Sequence, residues 1–239
     1  MIKTGAVLSM LIVFLTFESA CLASDDFDVE KFLDIKQCEK CDLSGVLLPN
    51  ADMQRSIINN SNLEKANIDG SNFSFARMDE CNLSGVSAKK SIFKAAYLHH
   101  AVLAGANMEY ANFSYVTLNK GDMSNANLSN ANFKGAKLVS TAWNNTMLIK
   151  SNFQKANLSG AKFGGANLTG ANFLNADLTG VSFGNAVIKD AILKGADLTI
   201  DCSKTICTES DPSRIQKYVN CKSLTDAGAI IDDSTKCAK

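Results

Sequence analysis

The sequence predicts an all-β solenoid, a four-sided coil of about eight turns closed at both ends by short helical caps. Three observations predict it. A five-residue phrase (small, polar, large apolar, then two polar or small) runs through residues 41–200 without insertion or deletion. A second period of twenty overlies the first: Phe73, Phe93, Phe113, Phe133, Phe153 and Phe173 share one column, and the column five residues on holds Met78 and then leucines from Leu98 to Leu198. Beyond these residues the phrase stops on both sides.

A period of five suits neither an α-helix nor a straight strand. In a helix, about 100° per residue puts successive apolar centres about 140° apart, so no stripe forms. In a strand, an odd spacing sends alternate centres to opposite faces. The period works only if each unit is a short extended piece ending in a bend, so that every centre points at a common axis. Four such units complete one coil and like residues stack on like. The 32 units of residues 41–200 make eight coils, roughly 38 Å of stack at about 4.8 Å per strand. Each coil can bury its core only against its neighbours, as in other solenoids.

The inside of the coil can be read position by position. The centres run Leu43, Leu48, Met53, Ile58, Leu63 and onward to Leu198, and only Ala88 among them is not large. Two residues before each centre stands Ala, Ser, Cys, Thr, Gly or, at the largest, Val. "SAKKSIFKAAYLHHAVLAG" (residues 87–105) departs from the phrase, with Ala88 at a centre and Ile92, Tyr97 and Val102 where Asn or Asp usually stands. Drift in a redundant column and shaping for contact both explain it. The 239 residues contain two prolines and an ordinary 46% of apolar residues, as expected for one domain whose core comes from periodic placement.

The ends differ in kind. Residues 1–23 place Lys3 ahead of an apolar run and then small residues, the pattern of a cleavable signal peptide with the cut after Ala23. Its apolar run is too short to span a bilayer. A lipoprotein cut ahead of Cys21 is the alternative, with Glu18 standing where Leu is expected; membrane attachment is expected only through lipidation there. Residues 24–40 form an N-terminal cap in which Asp26 or Asp28 caps a helix with Val29, Phe32 and Leu33 on one side. Residues 201–239 form a Cys-rich cap, with Asp211 and Pro212 opening a helix that carries Ile215, Tyr218 and Val219.

Cysteine placement bears on compartment. Cys41 and Cys81 share an inward column two coils apart, about 9.6 Å by strand spacing, too far for a disulfide. Cys81 is therefore expected to be a buried free thiol, and Cys38 could close on Cys41. Cys202, Cys207, Cys221 and Cys237 could form two disulfides in the C-terminal cap, and export favours that over zinc.

Runs such as "ANLTGANFLNADLTG" (residues 166–180) resemble the pentapeptide-repeat proteins, whose phrase is A-(D/N)-(L/F)-x-x, and "CEKCDLSG" (residues 38–45) resembles the opening of many bacterial members. The resemblance covers about two-thirds of the chain and implies a right-handed quadrilateral β-helix. It implies little about function, because a fold hosts many functions. Its best-known activity is mimicry of DNA by dimeric members that act on DNA gyrase. That requires an acidic surface, whereas residues 41–200 carry 14 Lys and Arg against 11 Asp and Glu. A net of +3 over four faces is modest, so neither DNA mimicry nor nucleic-acid binding is expected.

Enzyme chemistry finds no support. His99 and His100 are adjacent, outward and without a nameable third ligand. Nucleophile and phosphate-loop motifs are missing. "CEKC" lacks the βαβ setting of a redox pair, and a metal or redox protein built on the cap cysteines is kept only as an alternative. No cofactor is expected. Capped ends favour a monomer. What remains is a surface for an unknown protein partner: Phe75 and Tyr115 fall at one corner two coils apart and Tyr97 begins the next face between them, with Lys94, His99 and His100 nearby. Aromatics on a polar surface are the usual core of interfaces.

Overall fold

The computed structural model describes residues 26–198, 221–226, 228–231 and 236–237. One unit shows why the chain coils. In residues 62–66, Asn62 N–H donates to Cys41 C=O of the preceding coil at 2.9 Å, and Leu63 and Lys65 donate to Asn82 and Ser84 of the following coil at 2.7 and 2.9 Å. Ala66 N–H returns to Leu63 C=O at 3.1 Å and closes a four-residue turn. The remaining donor, Glu64 N–H, is taken by Asn62 Oδ1 at 3.1 Å. Every backbone donor of the unit thus has a partner, and the recurring Asn or Asp gains a mechanism, since its side chain caps the turn that follows it. Asp42, Asn72, Asn132 and Asp177 do the same for Ser44, Ser74, Lys134 and Thr179.

The fifth position of nearly every unit is left-handed, with φ of 58° at Lys40 and 60° at Tyr115. A β-branched side chain is strongly disfavoured there, and none occupies that position from residue 40 to 195. The unit beginning at Val181 differs: Gly184, the fourth residue, carries the positive φ of 51°.

Parallel bridges join residues twenty apart from Gln37↔Ile57 to Asp177↔Asp197, so four bends complete each coil. Within it, the rings of Phe73, Phe93, Phe113, Phe133, Phe153 and Phe173 stack at 4.8 to 5.6 Å. A second ring column, Trp143, Phe163 and Phe183, stacks at 5.7 Å. Trp143 meets Phe133 edge-on at 5.3 Å across the interior, and its Nε1 donates to Thr141 Oγ1 at 2.7 Å. Inward hydroxyls other than Ser56 are discharged on the backbone: Ser61, Ser91 and Thr146 donate to carbonyls of the preceding coil at 2.7, 2.7 and 2.8 Å.

Helix α1 (Asp26–Ile35) buries Phe32 completely and packs Val29 and Leu33 on the same core. Lys36 then turns left-handed and its C=O accepts Ile57 N–H at 2.9 Å. The ladder therefore starts at Gln37, ahead of the first regular phrase. At the far end, β1 (Asp197–Leu198) pairs in parallel with β2 (Lys236–Cys237), and Ile192 bridges Ile230. Between these, α2 (Cys221–Asp226) buries Leu224. The C-terminal segment thus contributes strands to the coil ladder as well as a helix. The phrase does not announce this, because residues 228–237 lack its inward spacing. The expected signal peptide and the helix expected over residues 210–220 lie outside the described residues.

Candidate protein-binding edge

The coil ladder stacks Phe75, Ala95 and Tyr115 at one corner, and Tyr97 stands two residues beyond Ala95 between Arg77 and Thr117. Phe75, Tyr97 and Tyr115 are 49%, 49% and 56% exposed. Both corner aromatics are left-handed, with φ of 61° and 60°. Small residues follow each of them: the ring of Tyr115 lies over Gly135, where a Cβ would come within 2.7 Å of Cε1. The structure therefore brings Phe75, Lys94, Tyr97 and Tyr115 within one coil of Ala95. His99, partly buried, and His100, exposed, form the turn at the far end of the Tyr97 face and border the group.

A bulky residue where Asn or Asp usually stands leaves the next turn's N–H without its cap. In four units the preceding coil supplies a substitute. Behind Arg77, Tyr97 and Lys137, the N–H groups of Asp79, His99 and Val139 are taken by Asn59, Asp79 and Asn119 at 3.1, 2.8 and 2.9 Å. Behind Ser87, Asp69 takes Lys89 N–H at 2.8 Å. Three of these four replacements lie in the one column that borders the aromatic corner, so the fold accommodates cationic and aromatic side chains there without orphaning a donor.

Charge on this solenoid is not evenly shared, contrary to the expectation from the net count. At the outward positions of this edge, Arg55, Arg77, Lys94, Lys134, Lys137 and Lys155 are all exposed, and no Asp or Glu accompanies them between residues 54 and 175. The opposite edge holds only Glu64 and Lys65, paired at 2.9 Å. The signal was present in the sequence, but only folding the charges onto the twenty-residue period exposes it. Tyr110, also exposed, stands at a different corner.

Elsewhere, Cys38 and Cys41 are joined with their Cα atoms 5.6 Å apart. Cys81 is a buried free thiol whose Sγ donates to Ile58 C=O at 2.8 Å, and burial pushes its pKa up to about 12. Hydrogen bonds from Ser44 hold Asp42 below the usual carboxylate range, and those from Gln54 do so for Asp52. Among the described residues no group of three or more His, Cys, Asp or Glu side chains converges as a metal site would. Cys202 and Cys207 lie outside the described residues, and Cys221 and Cys237 are placed only by their backbones, at the start of α2 and the end of β2.

Family models described as pentapeptide repeats match residues 37–74, 50–85, 91–130, 126–165 and 153–197, well over half of the sequence. The chain belongs to the pentapeptide-repeat family. No curated protein matches it. A pentapeptide-repeat protein from the Arabidopsis thaliana thylakoid lumen, AT2G44920, is similar at 31% identity over 55% of this chain and 83% of that one, with a TM-score of 0.42. QnrB1, a plasmid-mediated fluoroquinolone resistance protein, is 16% identical over 82% of this chain and 94% of its own, with a TM-score of 0.53. At that identity it shares the pentapeptide-repeat fold alone. No helix among the described residues is long and apolar enough to cross a membrane.

Proposed function

We propose that this pentapeptide-repeat protein is an exported, non-enzymatic scaffold that binds another protein through the edge bearing Phe75, Tyr97 and Tyr115. The observation that carries the reading is their gathering on a rigid, otherwise polar surface. Single exposed apolar residues are ordinary; three aromatic rings each within one coil of Ala95 are the composition of an interface core. Export is supported by the leader-like composition of residues 1–23 and by the Cys38–Cys41 bond, which suits an oxidising compartment. DNA mimicry fares worse, because the edge with the strongest charge is basic.

Affinity capture from the exported fraction tests this, comparing wild type with the triple variant Phe75→Ser, Tyr97→Ser, Tyr115→Ser. Loss of a stoichiometric partner from the variant alone is expected. Identical captured proteins on both baits would overturn the reading, as would recovery of the native chain in the cytoplasm with every thiol reduced.

A further inference from the structure

We infer that the partner presents an extended, acidic peptide segment that lies lengthwise along this edge; the inference rests on the scaffold reading above and names the chemistry of its partner. Four observations lead there. Six cations (Arg55, Arg77, Lys94, Lys134, Lys137 and Lys155) line the edge with no acid among them from residue 54 to 175. None of the six is in an ion pair within the protein; among the described residues the pairs are Lys36–Asp52 and Lys65–Glu64. No two of the six stand directly over one another on successive coils, but like charges gathered along one edge without acids among them make a positive potential that draws an anionic partner.

The third observation is width. Around the next bend, between Asp79 and Asp122, the carboxylates of Asp79, Glu80 and Asp122 outnumber the one cation there, Lys120, and a face is only roughly 10 Å across at about 3.3 Å per residue. A broad polyanion, such as a nucleic-acid duplex or an anionic bilayer, would reach past the basic edge onto those carboxylates. A single extended chain would not. The fourth is spacing. From Arg55 to Lys155 the edge runs five coils, about 24 Å, which is the length of about seven extended residues. Phe75 and Tyr115 are two coils apart, about 9.6 Å, close to three residues of an extended chain. In an extended chain with three residues per turn (polyproline II, about 3.1 Å per residue) residues three apart point the same way, so an acidic segment with an apolar residue at every third position meets both corner rings while its carboxylates face the lysines and the arginines, which donate to carboxylates in a two-pronged geometry. Most of the coil's own backbone groups are already paired along the stack, so side chains do most of the reading of the partner.

Direct binding tests it, with a fluorescent Glu-rich peptide as the probe and oligo(dT), heparin and phosphatidylserine vesicles as competitors of other classes at equal ionic strength. The pair Lys134→Glu, Lys155→Glu is expected to weaken peptide binding about tenfold, since exposed charge pairs each contribute a factor of a few. Lys134→Gln with Lys155→Gln should lose a smaller factor of the same sign. Lys90→Glu with Lys150→Glu, an equal charge change on another edge, should leave binding unchanged, and all variants should match wild type by circular dichroism and thermal melting. Equal losses from both Glu pairs, no peptide binding, or tighter binding of oligo(dT), heparin or vesicles than of the peptide would each overturn the inference. If that happens while the aromatic triple variant still loses its captured partner, only the acidic character of the partner falls. If the aromatic variant loses nothing, the scaffold reading falls with it.

Discussion

Replacing Phe133 with Ala tests the internal geometry at its most connected point. The ring is fully buried, stacked at 4.9 Å on both Phe113 and Phe153 and met edge-on by Trp143 at 5.3 Å. Truncating a buried Phe costs about 3 to 5 kcal/mol. Aromatic pairs add about 0.5 to 1.5 kcal/mol each beyond area, so three lost ring contacts put this site near 5 kcal/mol. Phe183, at the end of its column, stacks only on Phe163; its truncation belongs near 3 kcal/mol, at the lower end of the same range. The difference reflects the solenoid, in which a middle residue serves coils on both sides. Urea unfolding followed by far-ultraviolet circular dichroism reads the comparison. With an m of about 3 kcal/mol/M, the Phe133→Ala midpoint should fall by more than about 1 M, and by more than that of Phe183→Ala. Trp143 is the sole tryptophan and lies against the new cavity, so its emission should report the change directly. A Phe133→Ala protein with an unshifted midpoint and unchanged emission would refute the stacked interior.

Ala131→Asp and Asn132→Asp should differ sharply despite being neighbours. Ala131 is buried, so a carboxylate there costs several kcal/mol, whereas Asp at position 132 can cap Lys134 N–H as Asp42 caps Ser44 N–H; equal thermal shifts would contradict the assignment of inside and outside. Asp79→Ala should cost about 1 to 2 kcal/mol by chemical denaturation, because His99 N–H loses the acceptor that Tyr97 cannot supply; introducing Tyr97→Asn alongside should restore most of it. Cys81 should resist thiol reagents near neutral pH until the protein unfolds. Its folded pKa of about 12 lies above the ordinary 9.0, so the proton it retains leaves stability intact below pH 9.0 and erodes it as pH rises from there toward 12. A fast native-state reaction at neutral pH would place that thiol outside the core.

Much of the candidate edge was legible once the period was known. Phe75, Lys94, Tyr97 and Tyr115 could be assigned to neighbouring positions by counting in twenties, and the structure places them so. The missed cations were equally countable, but a net charge conceals their alignment. Other features had no linear signature. The second ring column meets the Phe column edge-on only because opposite faces of the coil are a ring's reach apart. The substitution of Asn59, Asp79 and Asn119 for absent turn caps depends on side chains reaching between coils.

By itself, the sequence determined the coil: an odd five-residue period with a small and a large apolar position admits one regular solution, and its twenty-residue overtone sets four units per turn. Tertiary structure alone decided how the ends meet the stack and how four of the missing caps are replaced. At the C-terminus, residues far from the last repeat return to pair with Asp197 and Leu198. Periodicity records only contacts that recur at a constant interval. Contacts made once, such as these, are selected by which backbone edge and which buried surface remain open after the regular coils have formed.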